Sequence, residues 1–167
     1  MFADASAYGT IDFDAIEEYL RTNFAYVEGD FGGNPGLGKS YLVGTNQDEV
    51  IKLDIYYAMD PFFQKLTEEE KVRMATVEEI IAMKVDIIQR GGRKKDFWDL
   101  HEALDRYSIN KMITLHRLRF EWTHNEMLIL NNFTAFTECD DDLEPLCLRG
   151  KQWAFIKEDF AEAVANR

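Results

Sequence analysis

The chain has 167 residues, of which 46% are hydrophobic and 13% aromatic, so it can bury one sizeable core and is neither disordered nor fibrous. Its formal net charge of −12 excludes a surface that attracts nucleic acid as a whole, so an RNA partner would need a local basic patch, for which Arg90 to Lys95 is the candidate. The first residues do not show the pattern of a signal segment, and no run approaches the roughly 18 apolar residues of a membrane helix. Cys139 and Cys147 lack the spacing of metal ligands. We therefore expect a cytoplasmic protein with reduced thiols and no membrane span.

The first third of the chain predicts a helix followed by a small antiparallel sheet. Asp12 can cap a helix that runs to Asn23, because apolar residues recur there at helical spacing and acidic residues occupy the first turn. β-Branched and aromatic residues then predict three strands, at residues 26–31, 39–44 and 50–57.

From Thr67 onward the pattern predicts helices. A capping box at Thr76 to Glu79 begins one of them, and Gly91-Gly92 is placed to end it. Four further helices are predicted at residues 94–107, 109–121, 125–137 and 151–165. The expected fold class is α+β, with a small antiparallel or mixed β-sheet followed by a C-terminal α-helical bundle. We expect a single domain, in which residues 1–66 hold the sheet and residues 67–167 hold the bundle.

One motif matches a phosphate-binding loop letter for letter. The segment Gly33-Asn-Pro-Gly-Leu-Gly38-Lys39-Ser40 has the pattern G-x-x-x-x-G-K-[ST]. A working loop of this kind needs a helix that starts at the Lys-Ser pair, whereas the following Tyr41-Leu-Val43 predicts a strand. We therefore expect a glycine-rich hairpin loop, and a P-loop nucleotide-binding protein is kept as the weaker alternative.

Asp54 is the candidate metal ligand of the predicted sheet. Period-two alternation places it on the strand face opposite Leu53 and Ile55, beside Lys52 and Tyr56. A lone strand aspartate is usually a solvated or hydrogen-bonded group. The functional interpretation is that Asp54 helps to hold a divalent metal for phosphoryl transfer.

The first bundle helix and its neighbour carry a second set of candidates. Lys84 falls within the apolar stripe of its helix, so its ammonium needs an anion, either a neighbouring aspartate or a nucleotide phosphate. Asp96 and Asp99 lie one turn apart at the start of the next helix, where they suit either the helix dipole or a nucleotide pocket. The three histidines share no ligand spacing, and the acidic run at residues 138–144 is typical of a solvated loop.

These residues occur in three blocks that resemble the nucleotidyl transferase AbiEii toxin-like family. The blocks are Val50-Ile-Lys-Leu-Asp54-Ile-Tyr-Tyr, Met74-Ala-Thr-Val-Glu-Glu-Ile-Ile-Ala-Met-Lys84 and Arg90-Gly-Gly-Arg-Lys94-Lys-Asp96-Phe-Trp-Asp99-Leu. The resemblance covers nearly the whole chain and implies a polymerase-β-like nucleotidyltransferase fold, with Asp54 as a catalytic metal carboxylate. It further implies that Lys84 and Lys94 lie near the nucleotide phosphates and that Asp96 and Asp99 lie in the pocket.

The chain departs from the family pattern at its start. In the family a glycine-rich segment and a D-x-D pair on a preceding strand bind the catalytic metals, whereas this sequence begins with Met1-Phe2 just past the corresponding position. The expectation is an N-terminally truncated protein that is inactive alone, because one carboxylate cannot position two metals about 4 Å apart. Mg²⁺ is expected only for the complete enzyme. The implied partners are a nucleoside triphosphate, an antitoxin protein and, for full-length relatives, an RNA acceptor.

Truncation would also leave the sheet with an unpaired edge and an uncovered apolar face. Such a surface favours self-association, so a homodimer is expected. Beside the P-loop alternative, two hypotheses stand: a nucleotidyltransferase-like protein of the toxin type, and a non-catalytic protein-interaction module on the same scaffold. The first hypothesis requires that Asp54 and Lys84 converge on one cleft.

Overall fold

The structure is a computed structural model, and it describes residues 2–3, 11–32, 36–57 and 61–167. Contacts divide the chain into two compact units, Met1–Pro61 and Phe62–Arg167. Over the described residues, the first unit holds a helix and a sheet, and the second holds a hairpin and five helices. The expected α+β class is therefore confirmed, and it is consistent with a polymerase-β-like nucleotidyltransferase fold. The assignment of the whole chain to a single domain stays a prediction.

The first unit is built on a four-stranded sheet. Its elements are β1 (Phe2–Ala3), α1 (Phe13–Asn23), β2 (Tyr26–Gly29), β3 (Gly38–Asn46) and β4 (Glu49–Tyr57). The strand order is β1-β4-β3-β2, in which β1 pairs with β4 in parallel and the other pairs are antiparallel. The long β3–β4 hairpin therefore forms the centre of the sheet, as its alternating sequence predicts.

A small core joins α1 to the sheet. The side chains buried in it are Phe13, Leu20, Tyr41, Val43, Ile55 and Tyr57. The helix begins where the sequence predicts, because the Asp12 carboxylate accepts a hydrogen bond from the Ala15 amide at 2.9 Å. Strand alternation then places Asp54, whose neighbours Leu53 and Ile55 face this core, on the other face of the sheet.

The second unit begins with a short hairpin in a region where the sequence predicts helices. Strand β5 (Thr67–Glu69) pairs antiparallel with β6 (Val72–Met74). Glu70 and Lys71 join the strands with φ of 50° and 68°, the left-handed values of a tight hairpin turn. The helical expectation from residue 67 is wrong here, because the turn lacks the Asn or Gly that usually marks it and because Glu and Lys favour helices.

Five helices follow in the second unit. They are α2 (Val77–Gln89), α3 (Lys94–His101), α4 (Ile109–Arg119), α5 (Glu126–Asn132) and α6 (Trp153–Ala165). The helices predicted at 94–107 and 125–137 end earlier, because the chain tightens into turns in which the amides of Ala103 and Ala135 donate to carbonyls three residues back. Within the described ranges, no helix is both long enough and apolar enough to cross a membrane.

Helix α2 positions the rest of the second unit, since it packs against α3, α4 and α5. The Thr76 hydroxyl accepts a hydrogen bond from the Glu79 amide at 3.2 Å and caps its start, as predicted. At its end Gly92, with φ of 72°, donates to the Ile87 carbonyl at 2.9 Å. The positions of α2 that are 0% exposed and hydrophobic are Ala82, Val85 and Ile88.

Candidate functional site

A groove of about 290 Å³ lies along α2 in the second unit. Its apolar lining includes Ile80, Ile81, Leu100 and Ala103. Its charged residues are Lys84, Asp99, Glu102, Arg106 and Arg149. Two of the candidates from the sequence, Lys84 and Asp99, therefore line the same groove.

Lys84 is bound by two aspartates of α3, and we call Lys84, Asp96 and Asp99 the Lys84 triad. The lysine Nζ lies 2.8 Å from Asp96 Oδ1 and 2.5 Å from Asp99 Oδ2. The Asp96 side chain is 0% exposed, whereas that of Asp99 is 52% exposed. Arg93 adds a second cation, with its Nε 2.8 Å from Asp96 Oδ2. Of the two anions that sequence reasoning left open for Lys84, the structure shows the aspartates.

Charge pairing outweighs burial within the triad. Burial raises the pKa of the Asp96 carboxyl, but hydrogen bonds from Arg93 and Lys84 outweigh it, so this pKa lies below its ordinary value. Burial lowers the pKa of the Lys84 ammonium, but its hydrogen bonds to Asp96 and Asp99 raise that pKa by more. Lys84 and Asp96 therefore stay charged at neutral pH.

Lys94 is bound by the acidic segment at residues 138–144. Its Nζ lies 2.7 Å from the Asp142 carbonyl oxygen and 3.2 Å from both the Asp140 carbonyl oxygen and Glu144 Oε1. The lysine is only 3% exposed, so these contacts offset the cost of burying its charge. The charged residues of this segment are exposed, as expected of a solvated loop, and three of its oxygens also bind Lys94. A contact between Lys94 and a nucleotide phosphate stays a prediction.

The charged rim of the groove was not predicted from the sequence. Glu102 accepts a hydrogen bond from Arg149 at 2.6 Å, and Lys151 Nζ lies 2.6 Å from its other carboxylate oxygen. Glu78 accepts a hydrogen bond from the Tyr107 hydroxyl at 2.7 Å. Glu102 and Arg149 lie 47 positions apart in the chain, so no local spacing could signal their pairing. Of these residues, only Tyr107 was identified from the sequence, as part of the apolar stripe of its predicted helix.

In the first unit, Asp54 has hydrogen-bonding partners on its own sheet face. Ser40 lies opposite Asp54 in the β3–β4 register, and its hydroxyl donates to Asp54 Oδ1 at 2.6 Å. Lys52 Nζ lies 3.0 Å from the same oxygen. The hydrogen bond from Ser40, followed by that from Lys52, holds the pKa of Asp54 below its ordinary value. The convergence of Asp54 with Lys84 on one cleft stays a prediction.

The phosphate-loop motif does not form a P-loop over its described residues. Gly38, Lys39 and Ser40 lie within strand β3 and not at a helix start, while residues 33–35 lie outside the described residues. Lys39 is buried, and its Nζ lies 2.6 Å from Glu17 Oε1 on α1. The P-loop alternative is therefore wrong for this lysine, because its ammonium is committed to an internal carboxylate.

The sequence matches a protein-family model over residues 6–166, and that family is described as nucleotidyl transferase AbiEii toxin, type IV TA system. The chain belongs to this family. The match spans Asp54 and the Lys84 triad, so the resemblance seen in the three sequence blocks is confirmed at the level of the AbiEii family. Comparisons with curated proteins and with solved structures gave no match. The N-terminal truncation stays a prediction.

Nucleotidyltransferases such as the AbiEii family typically depend on Mg²⁺, which prefers several oxygen ligands. In the part of the chain that the structure describes, no group of three or more His, Cys, Asp or Glu side chains is placed to hold a metal ion. At Asp54 the donor set does not fit Mg²⁺ by itself, because the Lys52 ammonium lies at the same carboxylate oxygen as the Ser40 hydroxyl. The segment Asp12-Phe13-Asp14 spells D-x-D but begins α1, with Asp12 used as its cap. A metal at Asp54 would require further carboxylates.

The second unit also contains a histidine pair that sequence reasoning missed. His116 Nδ1 and His124 Nδ1 lie 2.8 Å apart, and His116 Nε2 lies 3.5 Å from Asp86 Oδ1. One of the two Nδ1 atoms must carry a proton for this contact to be a hydrogen bond. Burial, followed by the nearby His116, lowers the pKa of His124. The pair joins α4 to the segment that follows it, and neither residue lines the groove.

Proposed function

We propose that this AbiEii-family protein binds a nucleoside triphosphate in the groove along α2. The observation that carries the proposal is that Lys84 and Asp99, both pocket residues by family resemblance, line one groove. The groove, at about 290 Å³, is close to the lower end of the ~300–1,000 Å³ range of small-molecule sites. Like those sites, it combines an apolar lining with a few charged groups.

The charges of the Lys84 triad support this proposal. Asp96 is buried and binds both Lys84 and Arg93, so it acts as a positioning residue for the lysine. Lys84 in turn offsets the charge of Asp99, which would otherwise repel phosphates. The apolar side chains, among them Ile80 and Leu100, provide a surface for the nucleoside.

Nucleotidyl transfer by this chain alone is not part of the proposal. Asp54 is proposed as one metal carboxylate of a complete enzyme, but the described residues around it do not form a metal centre. Lys94 is proposed to support the site indirectly, since its ammonium is bound by the loop at residues 140–144. The chain is therefore proposed to retain nucleotide binding and to lack transfer.

Calorimetry with each of the four common nucleoside triphosphates, with and without Mg²⁺, tests the binding. We expect Lys84→Ala to weaken binding about tenfold or more, a change of roughly 1.4 kcal/mol, because Asp99 loses its counter-charge. Lys95→Ala is the matched control, since Lys95 is an exposed lysine of α3 that does not line the groove. Because Lys84→Ala removes two ion pairs and is expected to weaken the fold as well, the affinity is measured on protein shown to be folded by circular dichroism.

Two results would overturn the proposal. One is the absence of binding by the folded wild-type chain for every triphosphate at millimolar concentration. The other is equal affinity of folded Lys84→Ala and wild type. The absence of transfer is tested separately with a labelled triphosphate and RNA as acceptor. Label transfer that disappears in Asp54→Asn would show that the chain is a complete enzyme.

A protein-interaction module is the second candidate function, and a surface feature favours it. Leu143, Leu146 and Leu148 are 94%, 93% and 93% exposed in one short segment. Exposed apolar side chains close together are typical of protein contacts. Folded wild-type protein that binds no nucleotide would favour this candidate over nucleotide binding.

A further inference from the structure

Arg106 differs from the other charged residues that line the groove. Lys84 is paired with Asp99, and Arg149 is paired with Glu102. Among the residues that the structure describes, the Arg106 side chain makes no hydrogen bond and no ion pair. Its guanidinium therefore keeps its five N–H donors for solvent or for a ligand.

Two carboxylates beside the groove, Glu102 and Glu78, are already engaged. Glu102 is bound by Arg149 and Lys151, each at 2.6 Å. Glu78, one turn from the groove-lining Ile81, accepts the hydrogen bond of Tyr107. Glu102 and Glu78 therefore each have another partner than Arg106.

The groove is locally positive on a chain that is strongly negative. Three cationic residues and two anionic residues line it, so the lining carries a formal charge of 3 − 2 = +1. The chain as a whole carries −12. Because the unmatched positive charge is that of Arg106, an anion that enters the groove is attracted to this residue.

We propose that Arg106 is the direct phosphate ligand of the groove. The inference rests on the proposed function and deepens it, because it assigns the polyphosphate chain of the nucleotide to Arg106. A guanidinium binds two phosphate oxygens through parallel N–H donors, which makes Arg106 well suited to this task. Lys84, whose ammonium is already bound by two carboxylates, acts through Asp99 as a positioning residue and not as the main phosphate contact.

Calorimetry on the full chain tests this assignment with three probes: a nucleoside triphosphate, inorganic tripolyphosphate and the corresponding nucleoside. Arg106→Ala is expected to weaken binding of both phosphate-bearing probes about tenfold or more and to leave nucleoside binding unchanged. Arg106→Lys is expected to recover part of the affinity, since a lysine keeps the charge but not the paired donors. Arg117→Ala, at an exposed arginine of α4 that does not line the groove, is the matched control.

A structural role for Arg106 would lower the melting temperature of Arg106→Ala, and we expect no such decrease because the side chain makes no hydrogen bond or ion pair with any residue that the structure describes. Full triphosphate affinity in Arg106→Ala, with weakened affinity in folded Lys84→Ala, would overturn the inference and leave the proposed function standing. Failure of the folded wild type to bind either triphosphate or tripolyphosphate would overturn both.

Discussion

Each of the two units contains a lysine whose sequence context indicated phosphate binding, and the two differ in what surrounds the ammonium. Lys39 has a side chain that is 3% exposed, and its ammonium is bound by Glu17 within the first unit. Lys84 is 23% exposed, lines a groove and shares it with the half-exposed Asp99. A lysine among apolar residues therefore signals a nearby anion, but a ligand can approach only where the ion pair borders an opening.

The largest effect on the free energy of unfolding is expected at the buried pair of the first unit, Lys39 and Glu17, and it tests this comparison. Lys39→Met leaves the buried Glu17 carboxylate without its counter-charge and is expected to destabilise the fold by about 3 to 5 kcal/mol. Lys39→Met combined with Glu17→Gln should recover much of that loss, because the amide is neutral and can still accept from Tyr41. Urea denaturation of the three proteins measures both effects. A loss below about 1 kcal/mol in Lys39→Met, as for an exposed ion pair, would contradict the comparison.

A smaller loss is expected in the Lys84 triad. Asp96→Asn removes the charge that binds Lys84 and Arg93, and it should lower the free energy of unfolding by about 2 kcal/mol, as for hydrogen bonds to charged groups. Asp105→Asn, at an exposed aspartate just after α3, is the control and should leave stability unchanged. An Asp96→Asn protein as stable as wild type would show that the triad does not hold α2 and α3 together.

The two buried carboxylates also predict a shared response to acid. The pKa of Asp96 lies below its ordinary 3.8, and burial raises the pKa of Glu17 less than Lys39 and Tyr41 lower it, so it lies below 4.5. Groups with a lowered folded pKa contribute stability that is present above the unfolded pKa and is lost as pH falls through the folded one. We therefore expect the free energy of unfolding to fall below about pH 4 to 4.5. Asp96→Asn should reduce this acid-dependent loss, and an unchanged pH slope in that variant would contradict the assignment.

The histidine pair predicts a weaker effect at milder pH. The folded pKa of His124 lies below its ordinary 6.5, so its contribution to stability is present above pH 6.5 and is lost as pH falls through the folded value. His124→Asn should flatten the dependence of unfolding free energy on pH in that range. Denaturation at a series of pH values measures the slope, with His101→Asn as a comparison outside the pair.

The smallest effect on stability is expected from the exposed leucines. The homodimer expected from the sequence stays a prediction, and small-angle scattering across a concentration series tests it. Replacement of Leu143, Leu146 and Leu148 by serine should leave the melting temperature unchanged, because these side chains are more than 90% exposed. A dimeric mass that becomes monomeric in the triple variant would place the contact at this segment. A monomeric wild-type mass at high concentration would contradict the dimer.

Local sequence patterns predicted much of the fold. They failed where a side chain is paired with a residue far away in the chain and where a turn contains residues that are unusual for its type. The caps at Asp12 and Thr76 and the glycine end of α2 were predicted, since each depends on hydrogen bonds within a few residues. The β5–β6 hairpin was missed because Glu70 and Lys71 adopt left-handed values that such residues rarely take. Lys84 and Asp99 were found in advance, whereas Arg106 and Arg149 were not.

By itself, the sequence determined the periodicity of the strands and helices, the face on which Asp54 lies, and the need of Lys84 for an anion, because these follow from neighbours along the chain. The tertiary structure alone decided which anion Lys84 obtained, that Lys39 is committed to Glu17, and that Arg106 has no hydrogen bond or ion pair with another described residue. The physical reason is that an ion pair depends on distance and burial in space. A charged side chain can therefore be paired with a residue far away in the chain, and no local sequence pattern reveals such a pair.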